Sequence, residues 1–323
     1  MTIEASRSRI FVAALSLLAA AMNSTYAQTT RWEPSPGHKQ IPLWPSTPPG
    51  TKPKPDSETV TLYTKKPVGG RPWSYISNVS RPTLTVYPPK GENTGAAIMV
   101  FPGGGYQILA IDLEGTEICD WLTSKGITCV LLKYRVPRGG PSHQDDCDCR
   151  INPKPAPAVQ DAQRAMGIIR LHAAEWKINP NKVGVIGFSA GGHLVAAISN
   201  DWRKRLYTPI DAADRQDARP DFAISLYPGH LWEYEAKDPL GFNPDLHVTA
   251  KTPPTFMLHA QNDSVDNPNH TLSYYAQLRR AGVPVELHIF AEGGHAFGLR
   301  RTKYPITEWP ALVEKWMRTI GVI

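Results

Sequence analysis

Cysteine is scarce in this chain: four residues in 323. Cys119, Cys129, Cys147 and Cys149 are too few to staple a small scaffold, and none shows the paired Cys-x-x-Cys spacing of a structural zinc site. Strong charge of one sign is missing as well. Thirty-five basic residues against 29 acidic leave +6, spread along the chain with no basic stripe, which argues against a nucleic-acid binder. Beyond residue 27 no stretch approaches eighteen consecutive apolar residues, so no permanent membrane-spanning helix is expected. No internal repeat and no triplet period appear; the 31 prolines, about twice the usual share, are therefore not collagen-like. Hydrophobic residues make up 41% and charged residues 20%, a composition that builds a core and excludes disorder as the main state.

The first 27 residues read as a secretory leader. Arg7 and Arg9 form a short basic region, Ile10 to Ala21 is an apolar run, and Thr25-Tyr26-Ala27 offers small residues at the cleavage positions. The mature chain is then expected to begin at Gln28, in the periplasm or outside the cell, with no membrane partner once the leader is removed. Residues 28–58 are Pro-rich and irregular, with Trp32 and Trp44 as anchors onto one domain spanning 59–323. Export permits disulfides, but Cys119 in a helical stretch and Cys129 in a strand read as small buried thiols. The loop from His143 to Cys149 gathers thiols, carboxylates and an imidazole. It reads as an insertion loop, with a metal site as the rival.

Short β-branched runs are expected as strands at Thr59–Thr64, Thr83–Tyr87, Ala96–Phe101, Thr128–Tyr134, Val183–Phe188, Phe222–Leu226, Thr255–His259 and Val285–Phe290. Helical patterns fall near Gly115–Lys125, Ala158–Glu175, Ala190–Ser199, Asn269–Ala281 and Glu308–Ile320. Alternation of this kind predicts an α/β fold with a mostly parallel central sheet flanked by helices. The segment Asp201–Asp221 is polar and reads as a solvated loop or small cap; it lacks the apolar face of a lipase lid.

Four strand ends carry the chemistry. Gly187-Phe-Ser-Ala-Gly191 follows the apolar Val183-Gly-Val-Ile and matches the sharp strand-to-helix turn that exposes a nucleophile, here Ser189. The run Phe101-Pro-Gly-Gly-Gly-Tyr106 lets backbone N–H groups approach a substrate carbonyl. Gly104, with Gly103, and Ala190 are the expected oxyanion donors. No Gly-Lys-Ser/Thr follows, so a phosphate loop is disfavoured. Asp263 and then His295 stand after later strands, in the order nucleophile, acid, histidine. Asp266 is a rival acid, while His193, His259 and His288 read as structural. Tyr106, Trp232 and Tyr234 follow strand ends and read either as aromatic faces for stacking on a substrate or as residues that pack their loops.

These motifs, with Lys133-Tyr-Arg-Val-Pro137, Val159-Gln-Asp-Ala-Gln-Arg-Ala165 and Gly294-His-Ala-Phe-Gly298, resemble the α/β-hydrolases of the secreted esterase group. That group includes acetylxylan esterases and the dienelactone-hydrolase-related carbohydrate esterases. The resemblance runs from about Ala96 to Gly298. It implies a Ser189–His295–Asp263 triad, an acyl-enzyme, no metal or organic cofactor, and a carbohydrate ester or other small ester as substrate. Acetyl esters of xylan lead the expectation. A broad lipolytic carboxylesterase is the alternative, and a serine peptidase or a non-catalytic binding module the next. Dienelactone hydrolase itself is disfavoured because its nucleophile is Cys. Pro102 departs from the His that precedes the glycines in many lipase-type esterases, and the Asp145–Cys149 stretch departs as an insertion.

Overall fold

The computed structural model describes residues 31–50, 58–136, 143–144, 149–150, 155–234 and 236–323. The expected leader, and Cys147 with its neighbours at 145–148, lie outside the described residues. The strands in chain order are β1 (Gln40–Pro42), β2 (Thr59–Val68), β3 (Arg71–Ser77), β4 (Thr83–Tyr87), β5 (Ala97–Phe101), β6 (Ile108–Leu109), β7 (Thr128–Lys133), β8 (His143–Gln144), β9 (Cys149–Arg150), β10 (Val183–Phe188), β11 (Ala223–Leu226), β12 (Thr255–Ala260) and β13 (Val285–Phe290). The helices are α1 (Glu117–Ser124), α2 (Ala156–Leu171), α3 (Ala190–Asn200), α4 (Asn269–Arg280) and α5 (Trp309–Thr319).

Eight strands form the central sheet in the order β1-β4-β7-β5-β10-β11-β12-β13. From β7 to β13 all neighbours run parallel, while β1 and β4 add an antiparallel edge. Strands β5, β7, β10, β11 and β12 are buried along their whole length. Their continuous apolar sequences reflect cover on both faces. Helix α3 is buried at every position because it packs beneath the middle of the sheet, and Gly187 and Gly191 let backbone approach closely there.

The expected alternation fails at one place. Thr59–Thr64 is not part of the main sheet: β2 pairs with β3 as a hairpin across Gly69-Gly70, and β3 pairs with β6. The Gly-Gly turn between two alternating runs is a hairpin signal, so β3 was legible in principle. This side sheet ties down the far end of the glycine loop, since Ile111 N–H donates to Ser74 O and Ser74 N–H to Asp112.

Trp44 is buried and its indole N–H donates to Asp161 Oδ1 at 2.8 Å. Asp161 is fully buried and accepts from Arg135 Nε and backbone N–H. This explains the Lys133-Tyr-Arg-Val-Pro and Val159-Gln-Asp motifs as one ionic clasp beneath the sheet edge. Lys133 and Glu58 form a second buried pair at 2.8 Å. The segment Asp201–Asp221 is less solvated than expected. Arg164 reaches across to Asp211 and Asp214, and Ala213 is buried against α2 where Gly167 leaves no room for a Cβ. Asp211, Asp214 and Asp221 pair with Arg164 and Arg170 of α2, and Arg205 with Asp214. Cys119 and Cys129 are likewise not free thiols. They form a disulfide between α1 and β7, and a crosslink closing so short a loop contributes about 2–3 kcal/mol.

Candidate active site

Ser189 sits between the end of β10 and the start of α3 at φ 52°, ψ −119°, a backbone conformation that costs an ordinary residue about 1–3 kcal/mol. The neighbouring glycines make the turn possible. A Cβ on Gly187 would lie 2.1 Å from Gly191 O, and one on Gly191 2.1 Å from Phe101 O. The residue is 9% exposed, so its hydroxyl is reachable while its backbone is fixed by Leu226 O and Gly229 N–H.

Asp263 stands three residues beyond β12. Its Oδ2 meets His295 Nδ1 at 2.6 Å, and its Oδ1 accepts the N–H groups of Val265 and Asp266. His259 Nε2 approaches the same carboxylate at 3.3 Å. Burial opposes ionisation here, but the hydrogen bonds from His259, His295 and Val265 outweigh it and hold Asp263 well below the usual carboxylate range. His259, expected to be merely structural, braces the acid that orients His295. It is placed by Thr271 at Nδ1.

Ser189 and His295 are not hydrogen-bonded to each other. The Ser189 hydroxyl donates to Asp266 Oδ2 at 3.2 Å, and the same oxygen lies 3.8 Å from His295 Nε2. Ser189 and His295 therefore face one carboxylate. Asp263, not Asp266, occupies the orienting position at Nδ1, and Asp266 sits on the opposite side of the imidazole.

The glycine loop divides its donors. Gly103 N–H is committed to Glu114 Oε2 at 2.8 Å, which corrects its assignment as an oxyanion donor: a buried carboxylate already takes that hydrogen. Gly104 N–H has no acceptor among the described residues. Ala190 N–H opens α3, where the helix itself offers no acceptor. Gly104 adopts φ +130°, and a Cβ there would be 2.3 Å from Ile108 O, so the loop needs glycine. Tyr134 OH donates to Pro102 O at 2.5 Å and fixes the loop from below.

Glu114 escaped the sequence reading. It is buried, accepts from Tyr227 OH at 2.9 Å as well as from Gly103, and burial raises its pKa. An acidic residue between Leu113 and Gly115 in an apolar stretch was the available signal. Its charge, with those of Asp263 and Asp266, faces His295. Burial disfavours the imidazolium, yet the Asp263 hydrogen bond and the three carboxylates more than offset this and raise the His295 pKa. An imidazole accepts a proton only when neutral, so a role for His295 as the base, with its pKa raised, predicts an acidic limb of activity above the ordinary histidine value of about 6.5. The pH dependence of kcat/KM on 4-nitrophenyl acetate checks this. Asp266→Asn removes one facing charge and is expected to move that limb to lower pH; a limb below about 6 in the unaltered enzyme would contradict the arrangement.

The aromatic candidates separate. Tyr106 is 1% exposed, its hydroxyl bound to His193 Nδ1 at 2.7 Å and its ring packed among Tyr134, His193 and His230. It supports the glycine loop and offers no face to a sugar, which corrects its place among the stacking candidates. Trp232 and Tyr234 lie 4.4 Å apart on the loop after β11, with Tyr234 64% exposed. His270 Nδ1 accepts the N–H groups of Leu231 and Trp232 and anchors that loop. Among the described residues no helix is long and apolar enough to cross a membrane, and no group of three or more His, Cys, Asp or Glu is arranged to hold a metal ion.

Known proteins resemble this chain in sequence and in fold. The chain is 31% identical over 243 residues to the acetylxylan esterase of Xylanibacter ruminicola, covering 69% of this chain and 45% of that one. It is 28% identical over 244 residues to a probable carboxylic ester hydrolase of Mycobacterium tuberculosis, covering 65% and 52%. The chain thus spans about half the length of these curated relatives. The solved acetyl ester-xyloside bifunctional hydrolase from Caldicellulosiruptor lactoaceticus superposes with a TM-score of 0.67 at 32% identity, covering 88% of this chain and 97% of that one. The model of the prolyl oligopeptidase family matches residues 120–320, the region that contains Ser189, Asp263, His295 and Asp266. With a mostly parallel sheet, a strained serine turn and an acid-held histidine in this order, the chain belongs to the prolyl oligopeptidase family and has the α/β-hydrolase fold.

Proposed function

We propose that the protein is an exported serine esterase that removes short acyl groups, chiefly acetyl, from carbohydrates such as xylan. The observation that carries the reading is the convergence of Ser189, His295 with Asp263, and the N–H groups of Gly104 and Ala190 beyond the ends of four parallel strands, β5, β10, β12 and β13. The Ser189 hydroxyl leaves Asp266 for His295 Nε2, which takes its proton as the oxygen attacks the ester carbonyl. Gly104 and Ala190 stabilise the oxyanion, each donor lowering the barrier by about 3 kcal/mol. His295 then protonates the departing alcohol, and a water deprotonated by His295 releases the acyl group.

Support for the substrate comes from three sides. Relatives named for acetylxylan and acetyl ester-xyloside hydrolysis share over 30% of their aligned residues with this chain. The Trp232–Tyr234 pair offers an aromatic face on the loop after β11, whose Gly229 N–H is bonded to Ser189 O. The 201–221 segment is held to α2 by ion pairs and carries no greasy lid. Peptidase action is disfavoured by the same relatives, since family membership fixes the fold and not the leaving group. A panel of acetyl, butyryl and octanoyl 4-nitrophenyl esters beside acetylated xylan tests the reading. kcat/KM is expected to fall steeply with chain length, because methylenes that do not fit clash, with acetate released from the polymer. A preference for eight carbons or more, or no acetate from xylan, overturns it in favour of a lipolytic carboxylesterase.

Export is supported by the leader pattern and by the Cys119–Cys129 disulfide, a bond that persists in oxidising compartments. The mass of the purified secreted protein should correspond to a chain starting at Gln28; an intact Met1–Ala27 segment contradicts this.

A further inference from the structure

Asp266 has no place in a serine-histidine-acid mechanism, yet it touches both reacting groups. Its Oδ2 accepts the Ser189 hydroxyl at 3.2 Å and lies 3.8 Å from His295 Nε2. The carboxylate is held in position from its own backbone: Asp266 N–H donates to Asp263 Oδ1, and Asp266 O accepts from His259 Nε2. Gly229 makes room on its far side, where a Cβ would come within 2.6 Å of Asp266 Oδ1. The side chain is 14% exposed, so it opens toward the cleft. Among the described residues its only ionic partner within 4 Å is His295.

The direction of the imidazole decides what meets this carboxylate. His295 Nδ1 is tied to Asp263, so only Nε2 is free to protonate the departing alcohol, and that alcohol must lie against Nε2. Asp266 Oδ2 faces the same position. An ionised carboxylate has only acceptors, and so it selects a donor: a hydroxyl on the carbon next to the ester-bearing carbon, within hydrogen-bond reach of the ester oxygen.

We propose that Asp266 recognises the vicinal hydroxyl of a polyol substrate, and that this hydroxyl displaces Ser189 from the carboxylate. In the free enzyme Asp266 holds the nucleophile's proton-bearing oxygen away from His295. When a diol ester binds, its free hydroxyl takes over the bond to Oδ2, and Ser189 turns to Nε2. Esters of simple alcohols leave Asp266 with no donor but Ser189. The site thereby favours alcohols with neighbouring hydroxyls, as in a sugar ring. The inference rests on the ester-hydrolase reading above but not on xylan as the polymer.

The test uses 2-hydroxyethyl acetate and propyl acetate, which match in size and differ by one hydroxyl. The unaltered enzyme is expected to favour the hydroxyethyl ester in kcat/KM by roughly 10- to 100-fold, the range of a hydrogen bond to a charged group. In Asp266→Asn and Asp266→Ala the ratio should collapse toward one, whatever the absolute rate of either variant. Equal rates for the two esters in the unaltered enzyme overturn the proposal without any variant, and so does a ratio that survives both substitutions. Acetate release from xylan reports separately on the polymer. A preference for the hydroxyethyl ester without action on xylan keeps the role of Asp266 and removes xylan as the polymer; action on xylan without the preference does the reverse.

Discussion

Ser189→Ala is expected to abolish ester hydrolysis: kcat on 4-nitrophenyl acetate should fall on the order of 10⁵- to 10⁶-fold. The substituted chain keeps the turn, since alanine is no larger than serine and the close contacts at Gly187 and Gly191 do not involve the hydroxyl. The variant is therefore expected to fold, with an unchanged far-ultraviolet spectrum and thermal transition. What is lost is the oxygen that attacks, and the strained φ of 52° at this position has no other evident use. Turnover within about tenfold of the unaltered enzyme would remove Ser189 from the mechanism.

Asp263→Asn should lower kcat by about 10⁴-fold, and the structure indicates how. Oδ1 accepts two N–H groups, from Val265 and Asp266, so the introduced amide keeps its oxygen on that side. Its NH₂ group then points at His295 Nδ1. A donor there forces Nδ1 to be the acceptor and places the single imidazole proton on Nε2, the tautomer that cannot take a proton from Ser189. The same NH₂ also meets His259 Nε2, which approaches that side of the carboxylate at 3.3 Å, so a loss of stability of about 1–3 kcal/mol accompanies the kinetic effect. Asp266→Asn leaves the Nδ1 bond untouched and should cost far less in kcat. Steady-state kinetics of the two variants side by side distinguish the carboxylates; a larger loss in Asp266→Asn reverses their roles.

The strand ends were legible because each combines two local signals. An apolar run long enough to be covered on both faces stops at a glycine-rich or acidic turn, as at Val183–Ser189, Ala97–Gly104 and Thr255–Asp263. Strand β1 was not legible, since Gln40-Ile-Pro is too short to show a period and pairs only because β4 presents a free edge. The disulfide was not legible either. Ten residues separate Cys119 from Cys129, but only the return of the chain from α1 into β7 brings their Cα atoms to 5.2 Å. Gly103 shows the same limit at one hydrogen atom: its place in the glycine run was plain, while Glu114 claims its N–H from a turn eleven residues later.

By itself the sequence determined the α/β alternation, the glycine-flanked turn at Ser189 and the positions of Asp263 and His295 just after strands, because each depends on residues adjacent along the chain. Only the tertiary structure decided which acid serves which group. Asp263 and Asp266 are three residues apart and chemically identical, and no local pattern separates them. The turn after β12 sends one carboxylate under Nδ1 with His259 behind it, and the other across the imidazole to Ser189. The same holds for Tyr106 and Tyr234, both aromatic residues following strands: packing against His193 buries one, and a loop anchored on His270 leaves the other exposed. Burial and the partner available at each atom are properties of the folded assembly, and those two quantities set the chemistry of every residue in the cleft.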